Sequence, residues 1–107
     1  MICRLWRGWT TPENADAYEL VVRRQVIPGI EVRKIPGFRH IDLMKRDLGD
    51  EVEFQTCMWF DSLEAIKAFM GEDYSLSHVP EVARAVLKRF DDRASHFEVI
   101  DRREQQG

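Results

Sequence analysis

Two cysteines, four prolines and three histidines in 107 residues are too few for several familiar designs. Cys3 and Cys57 lie far apart with no histidine beside either, so neither a disulfide framework nor a zinc knuckle is expected. No two histidines share the i, i+4 spacing of helical metal ligands, and no dedicated metal site is expected. Cations are not in excess: 16 Lys+Arg against 19 Asp+Glu leave a net charge of -3. That balance lacks the basic face that nucleic acid or an anionic membrane requires to replace counterions. No apolar run approaches ~18 residues, and no charged start precedes an apolar stretch, so neither a membrane span nor a signal peptide is expected. The expected compartment is the cytoplasm. A Gly-rich phosphate cradle, a G-x-S-x-G elbow, an H-E-x-x-H pair and an acidic Mg²⁺ cluster are also missing, which removes nucleotide-dependent and hydrolytic enzymes of the familiar kinds.

What is present is a hydrophobic fraction of 44% with 33% charged residues, material for a single core and one domain over 1–100, followed by a polar tail over 101–107. Ile2, Cys3, Leu5, Trp6 and Trp9 alternate with Arg4 and Arg7 in a first strand over 1–10. Thr11-Pro12-Glu13 then supplies a cap, a first-turn proline and an acidic start to a helix. Tyr18, Val22 and Val26 give that helix one apolar stripe, and Ile27-Pro28-Gly29 predicts its end. Pro36-Gly37 marks a turn into a second strand over 38–46, and Leu48-Gly49-Asp50 a hairpin into a third over 51–60. Asp61 with Glu64 reads as a capping box for a helix whose stripe is Ile66, Phe69 and Met70 and which Gly71 stops. Pro80 opens a further helix carrying Ala83, Val86, Leu87 and Phe90 on one side, and Arg93 to Ile100 alternates as the last strand.

The order β-α-β-β-α-(α)-β is the ferredoxin-like plan, an α+β fold with a four-stranded antiparallel sheet and helices on one face. The other face is not polar. Strand one places Arg4 and Trp6 on one side with Leu5 and Trp9 on the other, and strand three places Phe54 and Met58 on one side with Trp59 on the other. A small domain with bulk on both sheet faces is expected to bury the second against an identical one, as a twofold homodimer.

With that order in hand, the chain resembles the antibiotic-biosynthesis-monooxygenase-like proteins of the dimeric α/β-barrel superfamily. The likeness is carried by Arg4-Leu5-Trp6-Arg7-Gly8, Pro36-Gly37-Phe38, the run from Trp59 to Phe69, Gly71-Glu72-Asp73 and His96-Phe97-Glu98-Val99. It implies two sheets facing one another across a dimer and a pocket in each subunit between sheet and helices. Members of that group oxygenate aromatic polyketides without metal or flavin, degrade haem, or act on quinols or muconolactones. The haem-degrading branch uses an Asn on the first strand, a Trp on the helix after strand three and a His beyond it. Here those places fall to Trp6, Phe69 and His78, so two of the three depart from the pattern.

His78, in Ser75-Leu76-Ser77-His78, is the candidate general base or haem ligand; the alternative is a solvated loop histidine. His96 on the last strand is a candidate ligand contact, or a strand histidine satisfied by a protein partner. Trp6, Trp59 and Phe69 offer apolar stacking surface for a planar substrate, against ordinary core or interface duty. Arg4 is a candidate holder of a substrate oxyanion, the alternative being an ion pair with Glu98 or Asp42. The expected function is a cofactor-independent monooxygenase acting on a planar, mostly apolar phenol, quinol or polyketide-like molecule. Its alternatives are a non-catalytic, stress-associated or small-molecule-binding dimer and a haem-binding or haem-degrading protein.

Overall fold

A computed structural model describes residues 1–107. Strand β1 spans Ile2–Thr10, β2 Phe38–Asp47 and β3 Val52–Phe60. Between β1 and β2 runs a helical stretch made of a short turn over Pro12–Asn14, α1 over Ala15–Val21, a π-helical turn over Val22–Val26 and α2 over Ile27–Glu31. Helix α3 covers Leu63–Met70, α4 is a single turn over Glu81–Arg84, and the chain closes with β4 over Arg89–Phe90 and β5 over Ser95–Glu98. The antiparallel sheet has the order β2-β3-β1-β4, with β5 also paired to β1. The ferredoxin-like expectation therefore holds, the fourth strand position being shared by two short strands in succession. No helix is long and apolar enough to cross a membrane.

The last strand is shorter than expected, Ser95–Glu98 against 93–100, and three further differences each have a local physical reason. The first helix continues through Pro28 to Glu31. The Ile27 N–H reaches back five residues to the Val22 carbonyl, so the turn is already widened where proline has no N–H to give and its ring needs room. The helix expected over 80–90 stops at Arg84, because β1 presents carbonyls on that edge and backbone groups demand partners. Lys88 N–H donates to the Trp9 carbonyl at 2.8 Å and Asp91 N–H to that of Arg7 at 2.9 Å. Phe90 pairs with Gly8, where a Cβ would stand 2.9 Å from Trp6 Cη2 and 3.0 Å from Leu87 Cδ2. Finally, α3 is capped by Ser62, whose hydroxyl accepts from Ala65 N–H at 3.3 Å. Asp61 instead pairs with Arg39.

The register decides which residues can meet. Arg4 stands opposite Met58 on β3 and His96 on β5, and Trp6 opposite Thr56. Strand pairs face the same way, so these five share the helix-covered side. Two apolar clusters fill that side, one around Trp6, Tyr18, Val22 and Phe54, the other around Ile30, Met58, Phe60, Ile66 and Phe69. Phe54 and Phe60 are fully buried, each contributing about 1.5–3 kcal/mol of apolar burial. On the opposite side, Trp59 pairs with Cys3 and His40, and Trp9 with Glu53 and Arg89.

Candidate functional site

The two clusters do not close completely on each other. Between them lies an open cavity lined by fifteen residues, of which eleven are apolar. The sheet supplies its floor with Arg4, Trp6, Ile41, Thr56 and Met58; the first helical stretch supplies one wall with Tyr18, Val22, Val26, Ile27 and Ile30. Phe69 at the end of α3, with His78, Val79, Pro80 and Ala83, completes it. The π turn is part of the wall: Val22 and Val26 both lie on it.

Arg4 is the only lining residue with a permanent charge, and no carboxylate lines the cavity. It is 3% exposed. Its Nη1 donates to the Tyr74 carbonyl and to His96 Nε2 at 3.1 Å, and its Nη2 donates to the Leu76 carbonyl at 2.6 Å. The expected ion pair with Glu98 or Asp42 is not formed. Burial with no anion to offset it pulls the guanidinium down to about 10.

These bonds also hold the loop that carries His78. The Trp6 indole N–H donates to Ser77 Oγ at 2.9 Å and to the Asp91 carbonyl at 2.8 Å. Ser77 N–H donates to the Asp92 carbonyl at 3.0 Å, and Ala94 N–H to that of Ser75 at 2.7 Å. Loop residues 74–77 are thus tied on one side to β1 and on the other to the segment between β4 and β5. His78 follows directly, at the cavity mouth with its ring edge-on to Phe69 at 5.2 Å. Burial, then Arg33 and then Arg4 push its pKa below the ordinary histidine value, which leaves a neutral imidazole at pH 7. Arg33 reaches the site by capping α3, donating to the Phe69 carbonyl at 2.8 Å, with its Cζ 5.1 Å from the Phe69 ring centroid.

Four of the six residues singled out in the sequence therefore meet at one cavity: Arg4, Trp6, Phe69 and His78. His96 stands just behind them. A guanidinium has no lone pair, so His96 Nε2 accepts from Arg4 and the ring's proton sits on Nδ1. Burial and the Arg4 charge lower its pKa, and it braces Arg4 rather than lining the cavity. Trp59 is a correction. Alternation puts it on the opposite sheet face, where its indole N–H donates to Asp42 Oδ2 at 3.0 Å and Arg102 Cζ lies 5.3 Å from its ring. Tyr18, Thr56 and Arg33 went unread. Tyr18 showed only as one member of an apolar helical stripe, and nothing local to Arg33 signals its bond to a carbonyl 36 positions on.

Residues 1–81 match the family model described as antibiotic biosynthesis monooxygenase. The chain belongs to that family. The solved structures agree on the fold. A Bacillus cereus protein of the antibiotic biosynthesis monooxygenase type superposes with a TM-score of 0.66 at 16% identity, covering 97% of each chain. A MhuD mutant, crystallised with two manganese protoporphyrin IX bound per active site, gives 0.60 at 20% identity over 98% of this chain and 100% of its own. Rv0793 from Mycobacterium tuberculosis gives 0.57 at 17% identity over 96% and 98%. No functionally curated protein matches the chain. A shared fold does not fix what a protein binds, so function is argued from the residues of the cavity.

Proposed function

We propose that this family member is a cofactor-independent monooxygenase acting on a planar, mostly apolar phenol, quinol or polyketide-like substrate. The observation that carries the reading is geometric: His78 and Arg4, the only permanent charge in the lining, share one apolar cavity. His78 takes the proton from a substrate hydroxyl, and Arg4 favours the resulting anion. The substrate is the reductant and O₂ the oxidant. A ring C–H para to the hydroxyl becomes a carbonyl, one oxygen atom ends in the new C=O bond, and the other leaves as water with the protons released. Phe69 and Trp6 supply apolar surface against which a flat ring system can lie. The test is oxygen uptake with a panel of hydroxylated naphthalenes and anthracenes. Uptake lost on His78→Ala is the expected result; binding followed by Trp fluorescence without any uptake replaces the enzyme with a binding protein.

Haem binding is the second reading, favoured by one feature: His78 offers an imidazole nitrogen beside apolar walls, and it would be the residue to hold the iron. The first-strand place fits less well, since the Trp6 indole N–H is already bonded to Ser77 and Asp91. Haem, if held, would bring its own oxygen chemistry while this chain supplied the His78 nitrogen and the walls. A Soret shift on titration, lost in His78→Ala, would select this reading.

A further inference from the structure

We infer that the cavity takes an aromatic acid: a planar ring system bearing a carboxylate that seats on the unspent donors of Arg4. The inference rests on the reading that this cavity holds a planar aromatic molecule, and it names the class.

The argument is an accounting of hydrogens. A guanidinium has five N–H bonds. In Arg4 three are spent, on the Tyr74 carbonyl, His96 Nε2 and the Leu76 carbonyl. The Nε hydrogen and one hydrogen of Nη2 remain, on adjacent nitrogens, the arrangement with which arginine meets the two oxygens of a carboxylate. All three acceptors already in place are neutral, so they orient the group without cancelling its charge. A buried cation without a counter-ion is costly and is retained where something else neutralises it. No Asp or Glu lines the cavity, and the remaining polar groups there, those of Tyr18, Thr56 and His78, bring no negative charge at neutral pH. Arg33 at the Phe69 end adds a second cation near the mouth. The field inside is positive and the walls are apolar, which selects an anion attached to a flat hydrophobic body over a neutral or cationic one of the same shape.

Tryptophan fluorescence titrations of the intact chain with 2-naphthoate, 2-naphthamide and 2-naphthylmethylammonium test this directly. The acid is expected to bind about tenfold or more tighter than the amide, the value of one charge-assisted pair over a neutral contact, and the ammonium weakest. Arg4→Met should erase the preference for the acid over the amide. Should that variant fail to fold, the order of the three ligands on the unaltered protein still decides. An amide that binds as tightly as the acid, or no binding by any of the three, overturns the inference. Oxygen uptake with neutral naphthols but no preference for the acid sinks this proposal and leaves the oxygenase standing. A strong preference for the acid with no uptake from hydroxynaphthoates does the reverse.

Discussion

His78 is useful as a base only while its ring is neutral, and three effects act on it in the same direction: burial, Arg33 and Arg4. A proton on His78 is disfavoured in the folded chain, so the acid limb of kcat/KM for a phenolic substrate should turn at a pH below the ordinary histidine value of ~6.5. Above that point the rate should hold level toward neutral pH. Because Arg33 contributes, Arg33→Gln should move the limb upward while leaving KM nearly unchanged. A limb that stays in place would assign it to another group. The same residues show what a sequence can disclose about a site. Arg4, Trp6 and Phe69 were legible because strand alternation and helix spacing are local rules that place side chains on faces, whereas His78, in a loop, stood out through the family resemblance. Which cation lacks an anion is a property of the assembled loop. The bonds from Arg4 to Tyr74 and Leu76 span 70 and 72 positions, and no pattern along the chain announces them. Trp59 stands apart for the converse reason: its bulk and its place on the face opposite to that of Met58 are evident from alternation, but only the assembled fold shows which of the two faces the helices cover.

Elements whose ends are set by their own residues were legible, and those set by neighbours were not. Gly71 ends α3 as expected, with φ of 89° and its N–H donating to the Lys67 carbonyl at 2.6 Å. Thr11 caps the first helical turn as expected, accepting from Asn14 N–H at 3.3 Å. By contrast, nothing between Pro80 and Phe90 foretells that the chain will abandon a helix to complete the edge of β1. The start of α3 lies between these cases, since Asp61 and Ser62 are both good caps and only the Arg39 partner draws Asp61 away. Ser62→Ala should therefore cost about 1 kcal/mol in denaturant unfolding, whereas Asp61→Asn should cost clearly less, because an exposed ion pair contributes little. Equal losses would mean that Asp61 shares the cap. At the turn into β2, Gly37 has φ of 83° and a Cβ there would fall 2.9 Å from the Cβ of Ala65. Gly37→Ala combines left-handed strain with a clash against α3 and should cost about 1–3 kcal/mol, read as a drop in the unfolding midpoint at unchanged slope.

At the scale of the whole molecule, charge is arranged as carboxylates gripped by cations. Arg89 and Lys88 hold Glu51 down to about 2, and Glu19, Asp61 and Asp73 are lowered by Lys45, Arg39 and Arg93 respectively. Each folded carboxyl binds its proton less readily than the unfolded one, so the stabilisation is complete above the unfolded range near ~4 and is lost as pH falls toward 2. Thermal midpoints should decline steadily over that window and decline less at high salt. The outer sheet face raises the remaining question of assembly. Arg7 and Arg89 lie over Trp9, with the Arg89 Cζ 3.9 Å from the ring, and Arg102 lies over Trp59. Around these pairs Met44 on β2 is 48% exposed and Phe97 on β5 57% exposed. Apolar side chains left bare on an antiparallel face, with planar arginines already stacked on its tryptophans, make a surface ready for a self-complementary partner. We propose that two chains meet there. Sizing with light scattering should give twice the 12.6 kDa chain mass at micromolar concentration, because an interface of about 1,200–2,000 Å² persists at that dilution. Met44→Asp with Phe97→Glu should return the monomer mass with an unchanged far-ultraviolet dichroism spectrum, since neither side chain packs into the helix-covered core. A native chain that runs as a monomer under these conditions removes the dimer. If the double variant remains dimeric, the interface lies away from this face.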